Sequence, residues 1–148
     1  NWLDYFDHGT LILNVKEEGL EDRLLDLMSS RDINDFFFLD QSFPFLIKTA
    51  KSKESRCAVR YSEYESLETV MSLAGKVEWV WVDCFTKFPL SREDYHRLKT
   101  EGKFKLCFVS PELQGLGDII KIKEFISKIN LQGITGEAVC TKYPDLWG

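Results

Sequence analysis

Short apolar runs alternate with longer amphipathic stretches along all 148 residues. Six runs have strand length: 10–16 (TLILNVK), 35–40 (DFFFLD), 57–61 (CAVRY), 79–83 (WVWVD), 105–110 (KLCFVS) and 138–141 (AVCT). Their centres recur every twenty to thirty or so residues, which leaves room for one helix in each gap. The gaps carry helical spacing. Residues 18–31 place Leu20, Leu24, Leu27 and Met28 on one face, and 42–51 carry Phe45, Leu46 and Thr49 or Ala50. Ser66 opens a third helix with Val70, Met71 and Leu73 as its stripe. Ser91 and Asp94 form a capping box ahead of Tyr95 and Leu98, with Gly102 as the stop. The stretch 118–130 repeats Ile119, Ile122, Phe125, Ile126 and Ile129.

Strands and helices therefore alternate, which predicts an α/β fold with parallel strands and right-handed crossovers. No Pro/Ser-rich linker or low-complexity tract interrupts the series, so residues 1–148 read as a single domain. Two architectures suit it: an open doubly wound sheet, and a partial (β/α)8 TIM barrel of about six βα units. A full barrel needs eight strands and typically ~250 residues. Pattern alone leaves both open.

Composition narrows the function classes. Hydrophobic residues are 44%, charged residues 29% and the net charge −5, the balance of a soluble globular chain without a basic footprint for nucleic acid. No apolar run approaches a membrane span. Cys57, Cys84, Cys107 and Cys140 are far apart, form no CxxC pair and lie in apolar runs. They read as free core thiols of a reduced, cytoplasmic protein.

Polar residues at strand ends are the site candidates, because the C-terminal edge of a parallel sheet is where such folds bind ligands. Asn14 and Lys16 lie two apart on the first run and share a face with Ile12, which in a barrel points inward. Lys16 suits a phosphate oxygen as a point charge. Asp40, Arg60, Asp83 and Glu112 lie at or just past later strand ends. Arg60 suits either a salt bridge to Asp40 or Asp83, or a bidentate grip on an anion. The two histidines are poorly placed for catalysis: His8 precedes the first strand, and His96 falls on an outer helix facing solvent. There is no phosphate-binding glycine loop; Gln114-Gly-Leu-Gly117 reads as a plain turn before a helix.

Three segments give the chain a family likeness. Leu13-Asn14-Val15-Lys16 resembles a third-strand Glu-Ile-Lys motif, Gln41-Ser42-Phe43 a Ser-Phe after the fourth strand, and Thr141-Lys142-Tyr143-Pro144 a Thr-Asp-x-Pro at the eighth. In that order and spacing the chain resembles the C-terminal part, strands three to eight, of the glycerophosphodiester phosphodiesterase family of TIM-barrel enzymes. The resemblance implies a phosphoric diester hydrolase that uses a divalent metal, Mg²⁺ or Ca²⁺, and a histidine pair on a small phosphodiester substrate. It also implies what is missing here. The histidine pair belongs to the first two βα units, Asn14 stands at the metal Glu position, and Lys142 replaces the Asp. This chain is thus expected to carry no catalytic residue and no metal, and to be inactive alone. Lys16, Arg60, Asp83 and Glu112 are its substrate- or phosphate-binding expectations. The alternatives are a non-catalytic domain that binds a phosphorylated ligand or a partner, and an unrelated open-sheet binding domain. A partial barrel also predicts open edges at the first and last strands, covered by an N-terminal segment or by a homo-oligomer.

Overall fold

Every strand pairing in the computed structural model is parallel, and the strands follow one another in chain order. The structure describes residues 2–7 and 9–148, so His8 lies outside the described residues. The strands are β1 (Leu11–Asn14), β2 (Phe36–Leu39), β3 (Ala58–Tyr61), β4 (Trp79–Val82), β5 (Lys105–Val109) and β6 (Ala138–Cys140). The helices between them are α1 (Glu21–Ser30), α2 (Phe43–Lys51), α3 (Leu67–Met71), α4 (Arg92–His96) and α5 (Ile119–Leu131). β1 and β2 form one sheet and β3 to β6 another, and a parallel bridge between Phe38 and Cys57 links them.

Alternation along the strands sends side chains to two apolar layers. The outer layer takes Phe36, Phe38, Val59, Val80, Val82, Leu106 and Phe108 from the strands. It also takes Met28 from α1, Leu46 from α2, Val70 from α3, Ile129 from α5 and Leu98 from the turn that continues α4, whose own Tyr95 packs against the layer. The inner layer takes Phe37, Leu39, Ala58, Trp79, Trp81, Cys107 and Val109, with no residue of an α-helix. Helices thus cover one face of the strands only, whereas a doubly wound sheet has helices on both faces and a reversal in strand order. Large rings fill the inner layer instead. Phe37 stacks on Trp79 with centroids 4.6 Å apart, and both are buried.

Local chemistry sets the helix starts. Ser66, Ser91 and Asp118 each accept the backbone N–H three residues on, from Thr69, Asp94 and Lys121. Two sequence expectations are corrected and a third is refined. Asp94 does not close the capping box on a backbone N–H; its carboxylate accepts from the Ser91 and Tyr61 hydroxyls. Gly102 does cap the helix end, but as a right-handed residue at φ −76°. Helix α4 runs on into a π-helical turn (Arg97–Glu101), and the left-handed residue is Lys103, at φ 55°. β1 ends at Asn14, so Lys16 lies two residues beyond the strand, with its side chain 71% exposed rather than on the interior face. Chain direction explains the last: Val15 still donates to Leu39 O, and after it the chain turns away toward α1.

The free thiols Cys57, Cys84 and Cys107 are buried, with Cys140 half-buried. Burial pushes the first three up to about 12, so they pack as apolar groups. Among the described residues no helix is long and apolar enough to cross a membrane.

Entry to β6 requires a glycine. A Cβ on Gly136 would meet Leu106 O of β5 at 2.9 Å and the Phe108 ring at 3.2 Å. Gly136→Ala is expected to cost about 1–3 kcal/mol through overpacking, read as a lower urea midpoint with an unchanged slope. Gly75→Ala, where no atom lies within 4 Å but φ is +73°, is expected to cost about 1 kcal/mol from backbone strain alone.

Candidate functional site

Parallel pairing brings the polar strand ends to one edge of the sheet, and there the charges organise around Asp40. Asp40 follows β2 with φ 61°, a left-handed conformation that Asp tolerates better than most residues. Its two carboxylate oxygens serve two cations. Oδ2 accepts from Lys16 Nζ, and Oδ1 accepts from Arg60 Nη2 at 2.5 Å. Arg60 also faces Asp83, with Nε 3.8 Å from Oδ2, and its guanidinium lies 5.9 Å from the Phe85 ring centroid. A chain of alternating charge, Lys16–Asp40–Arg60–Asp83, thus crosses the ends of β1 to β4. Partial burial pushes the Asp40 carboxyl up, but the Lys16 hydrogen bond and the Arg60 charge reverse this and hold it below the usual carboxylate range.

A cavity of about 550 Å³ opens beside this chain. Lys16, Asp40 and Arg60 line it, together with Gln41, Ser42 and Glu21. Gln41 Nε2 donates to Glu21 Oε1 at 3.0 Å and to Thr49 Oγ1 at 2.8 Å. The buried Gln41 Oε1 and Ser42 Oγ have no hydrogen-bond partner. Buried polar atoms are normally paired, so an orphaned carbonyl and hydroxyl in the residues of one cavity mark a place that favours a polar guest. The lining holds two cations, Lys16 and Arg60, against five carboxylates, Glu17, Glu18, Glu21, Asp40 and Glu65.

The other expected site residues lie elsewhere. Asp83 is buried outside the cavity lining; its Oδ1 accepts from Cys84 N at 3.0 Å and Gln114 Nε2 at 2.8 Å. Glu112 lies in a 3₁₀ turn (Pro111–Gln114) and ties the end of β5 to the end of β6. It accepts from Ser110 Oγ, from Thr141 Oγ1 at 2.6 Å and from Lys142 N at 2.9 Å. Burial raises the Glu112 carboxyl, and these donors more than offset it, so it sits below its ordinary value. Asn14 is exposed at the end of β1, and His96 is exposed on α4.

Asn14 offers one neutral carbonyl, and the Asp40 oxygens are already held by cations. Among the described residues no group of three or more His, Cys, Asp or Glu is placed to hold one. Sequence reasoning named Lys16, Arg60 and their acidic partners but missed Gln41 and Glu21. Their only signal is position, just after a strand end and in the first turn of α1. Comparison with models of known protein families, with curated proteins and with solved structures finds no match to this chain.

Asp40→Asn keeps a side chain that tolerates positive φ while removing the shared charge. It is expected to cost about 1–2 kcal/mol, at the low end because Arg60 is one-third exposed. The pH dependence has a definite sign. A carboxyl whose folded pKa is depressed stabilises the fold above its unfolded pKa and loses that contribution as pH falls through the folded value. Wild-type stability should therefore fall as pH drops below about 4, and Asp40→Asn should flatten that fall, checked by urea unfolding from pH 7 to pH 2.5.

Proposed function

We propose that this chain is the ligand-holding part of a glycerophosphodiester phosphodiesterase-like (β/α)8-barrel domain, its six strands corresponding to strands three to eight. In this reading it binds a singly charged phosphodiester at the cavity beside Asp40 and does not hydrolyse it alone. The observation that carries the reading is the pairing of Lys16 and Arg60 through one carboxylate on a cavity with two orphaned polar atoms. Parallel strands in chain order, with helices on one face, support the barrel-type architecture.

Charge argues for a diester over a monoester. Five carboxylates surround the two cations, so each extra negative charge on the ligand meets repulsion. A diester carries one charge and a phosphomonoester nearly two at pH 8. Lys16 supplies a mobile point charge and Arg60 a planar fork. Hydrolysis needs a proton donor to the leaving alkoxide and charge neutralisation at the non-bridging oxygens. The exposed His96 is not among the residues that line the cavity. Binding without turnover is also what the runner-up reading, a non-catalytic phospho-ligand domain, requires.

Calorimetric titration at pH 8 separates the possibilities. Glycerophosphocholine should bind more tightly than glycerol 3-phosphate, and Arg60→Gln should weaken it at least ten-fold. Lys16→Gln should weaken it less, because its side chain is 71% exposed. No phosphodiester should be cleaved with Mg²⁺ or Ca²⁺ present. Tighter binding of the monoester, or metal-dependent turnover, would overturn the reading.

A further inference from the structure

The loop after β4 folds its backbone around an anion that the protein itself supplies. Glu63, in the loop after β3, accepts from three consecutive backbone N–H groups. Phe85 N donates to Oε2 at 3.2 Å, and Thr86 N and Lys87 N both donate to Oε1 at 2.7 Å. The Thr86 hydroxyl adds a fourth donor to Oε1 at 2.9 Å. Successive N–H groups converging on one point form an oxyanion-binding nest. Three of the four donors converge on the one oxygen Oε1, an arrangement that a single phosphoryl oxygen can occupy as a carboxylate oxygen does. Partial burial pushes the Glu63 carboxyl up, but the Lys87 and Thr86 donors outweigh it and take it down to about 2, as those same hydrogen bonds require.

Access is built in. Another cavity, of about 300 Å³, lies against this loop contact, and Ser62, Glu63, Ser66 and Lys87 are among its lining. Glu63 is half-buried, while Thr86 and Lys87 are exposed. Tyr64, 74% exposed, tilts over Phe85 with ring centroids 5.7 Å apart. Glu65, the other acid at this cavity, is engaged by the Ser62 hydroxyl.

We propose that the Phe85–Lys87 nest is a binding site for a phosphoryl group, and that Glu63 occupies it in competition with the ligand. The tethered carboxylate acts at a high local concentration, so the intact chain binds free anions weakly there. A phosphorylated ligand gains the site only by displacing Glu63, which frees the two loops from each other. The site adjoins the cavity beside Asp40, with Glu65 on the lining of both, but its donors are other residues and it does not rest on the reading of that cavity.

The test titrates inorganic phosphate into the full 148-residue chain at constant ionic strength and follows the backbone amide resonances of residues 85–87. Glu63→Ala is expected to bind phosphate at these amides at least ten-fold more tightly than the wild type. Glu63→Gln, which keeps the side-chain bulk without the charge, should lie between them and serves if the alanine variant does not fold. Adding Thr86→Val to either variant should weaken binding several-fold. Silence at residues 85–87 in a folded variant, or equal affinity with and without the Glu63 carboxylate, would overturn the proposal. Shifts confined to Lys16 and Arg60 would overturn it while supporting the Asp40 cavity.

Discussion

Parallel pairing of all six strands puts every strand's C-terminal end on the same side of the sheet, and the polar chemistry of this chain follows from that constraint. Lys16, Asp40, Arg60, Asp83 and Glu112 are scattered over nearly a hundred residues of sequence. They share one edge because each lies near or past the C-terminal end of a strand that leaves the core in the same direction. Parallel strands need a crossover between each pair, and the five helices that supply it all pack on the outer layer. The inner face is left to rings and small side chains, with Phe37 on Trp79 at its centre.

At the polar edge, charge is organised by sharing rather than by isolation. Asp40 binds two cations, Arg60 reaches two acids, and Glu112 and Glu63 each collect several donors. Such arrangements limit the cost of partial burial for each charge. They also divide the edge into two kinds of place. Around Glu112 and Asp83 the donors and acceptors are matched, and those residues join neighbouring strand ends. Around Asp40 the lining leaves Gln41 Oε1 and Ser42 Oγ unmatched, and a cavity opens. The difference lies in pairing, since both regions hold an acid just past a strand end, partly buried at Asp40 and buried at Asp83 and Glu112.

The loops that carry these groups were the least legible part of the sequence. Glu63 sits in a polar stretch, Ser62-Glu-Tyr-Glu65, with nothing in its spacing to connect it with residues 85–87. Only the parallel register of β3 with β4 brings the two loops side by side. Gln41 was equally silent, because its partners Glu21 and Thr49 lie on two different helices. The capping box at Ser91 was half legible: Asp94 N does donate to Ser91, but the acid turns to the Ser91 and Tyr61 hydroxyls instead of a backbone N–H.

By itself the sequence determined the element order, the parallel α/β class and the core positions, because periods of 2 and 3.6 are local properties of the backbone. Phe37, Val80, Leu106 and Ile122, all in its apolar runs and helical stripes, are fully buried. It also determined that Arg60 had acids within reach at neighbouring strand ends. Tertiary structure decided which acids those were, that Lys16 leaves the strand to meet Asp40, and that Glu112 serves as a tie between β5 and β6. It decided, too, that helices cover one face only. These are long-range outcomes. They depend on register and on the path of each loop between strands, and neither is encoded in the spacing of residues along a single segment.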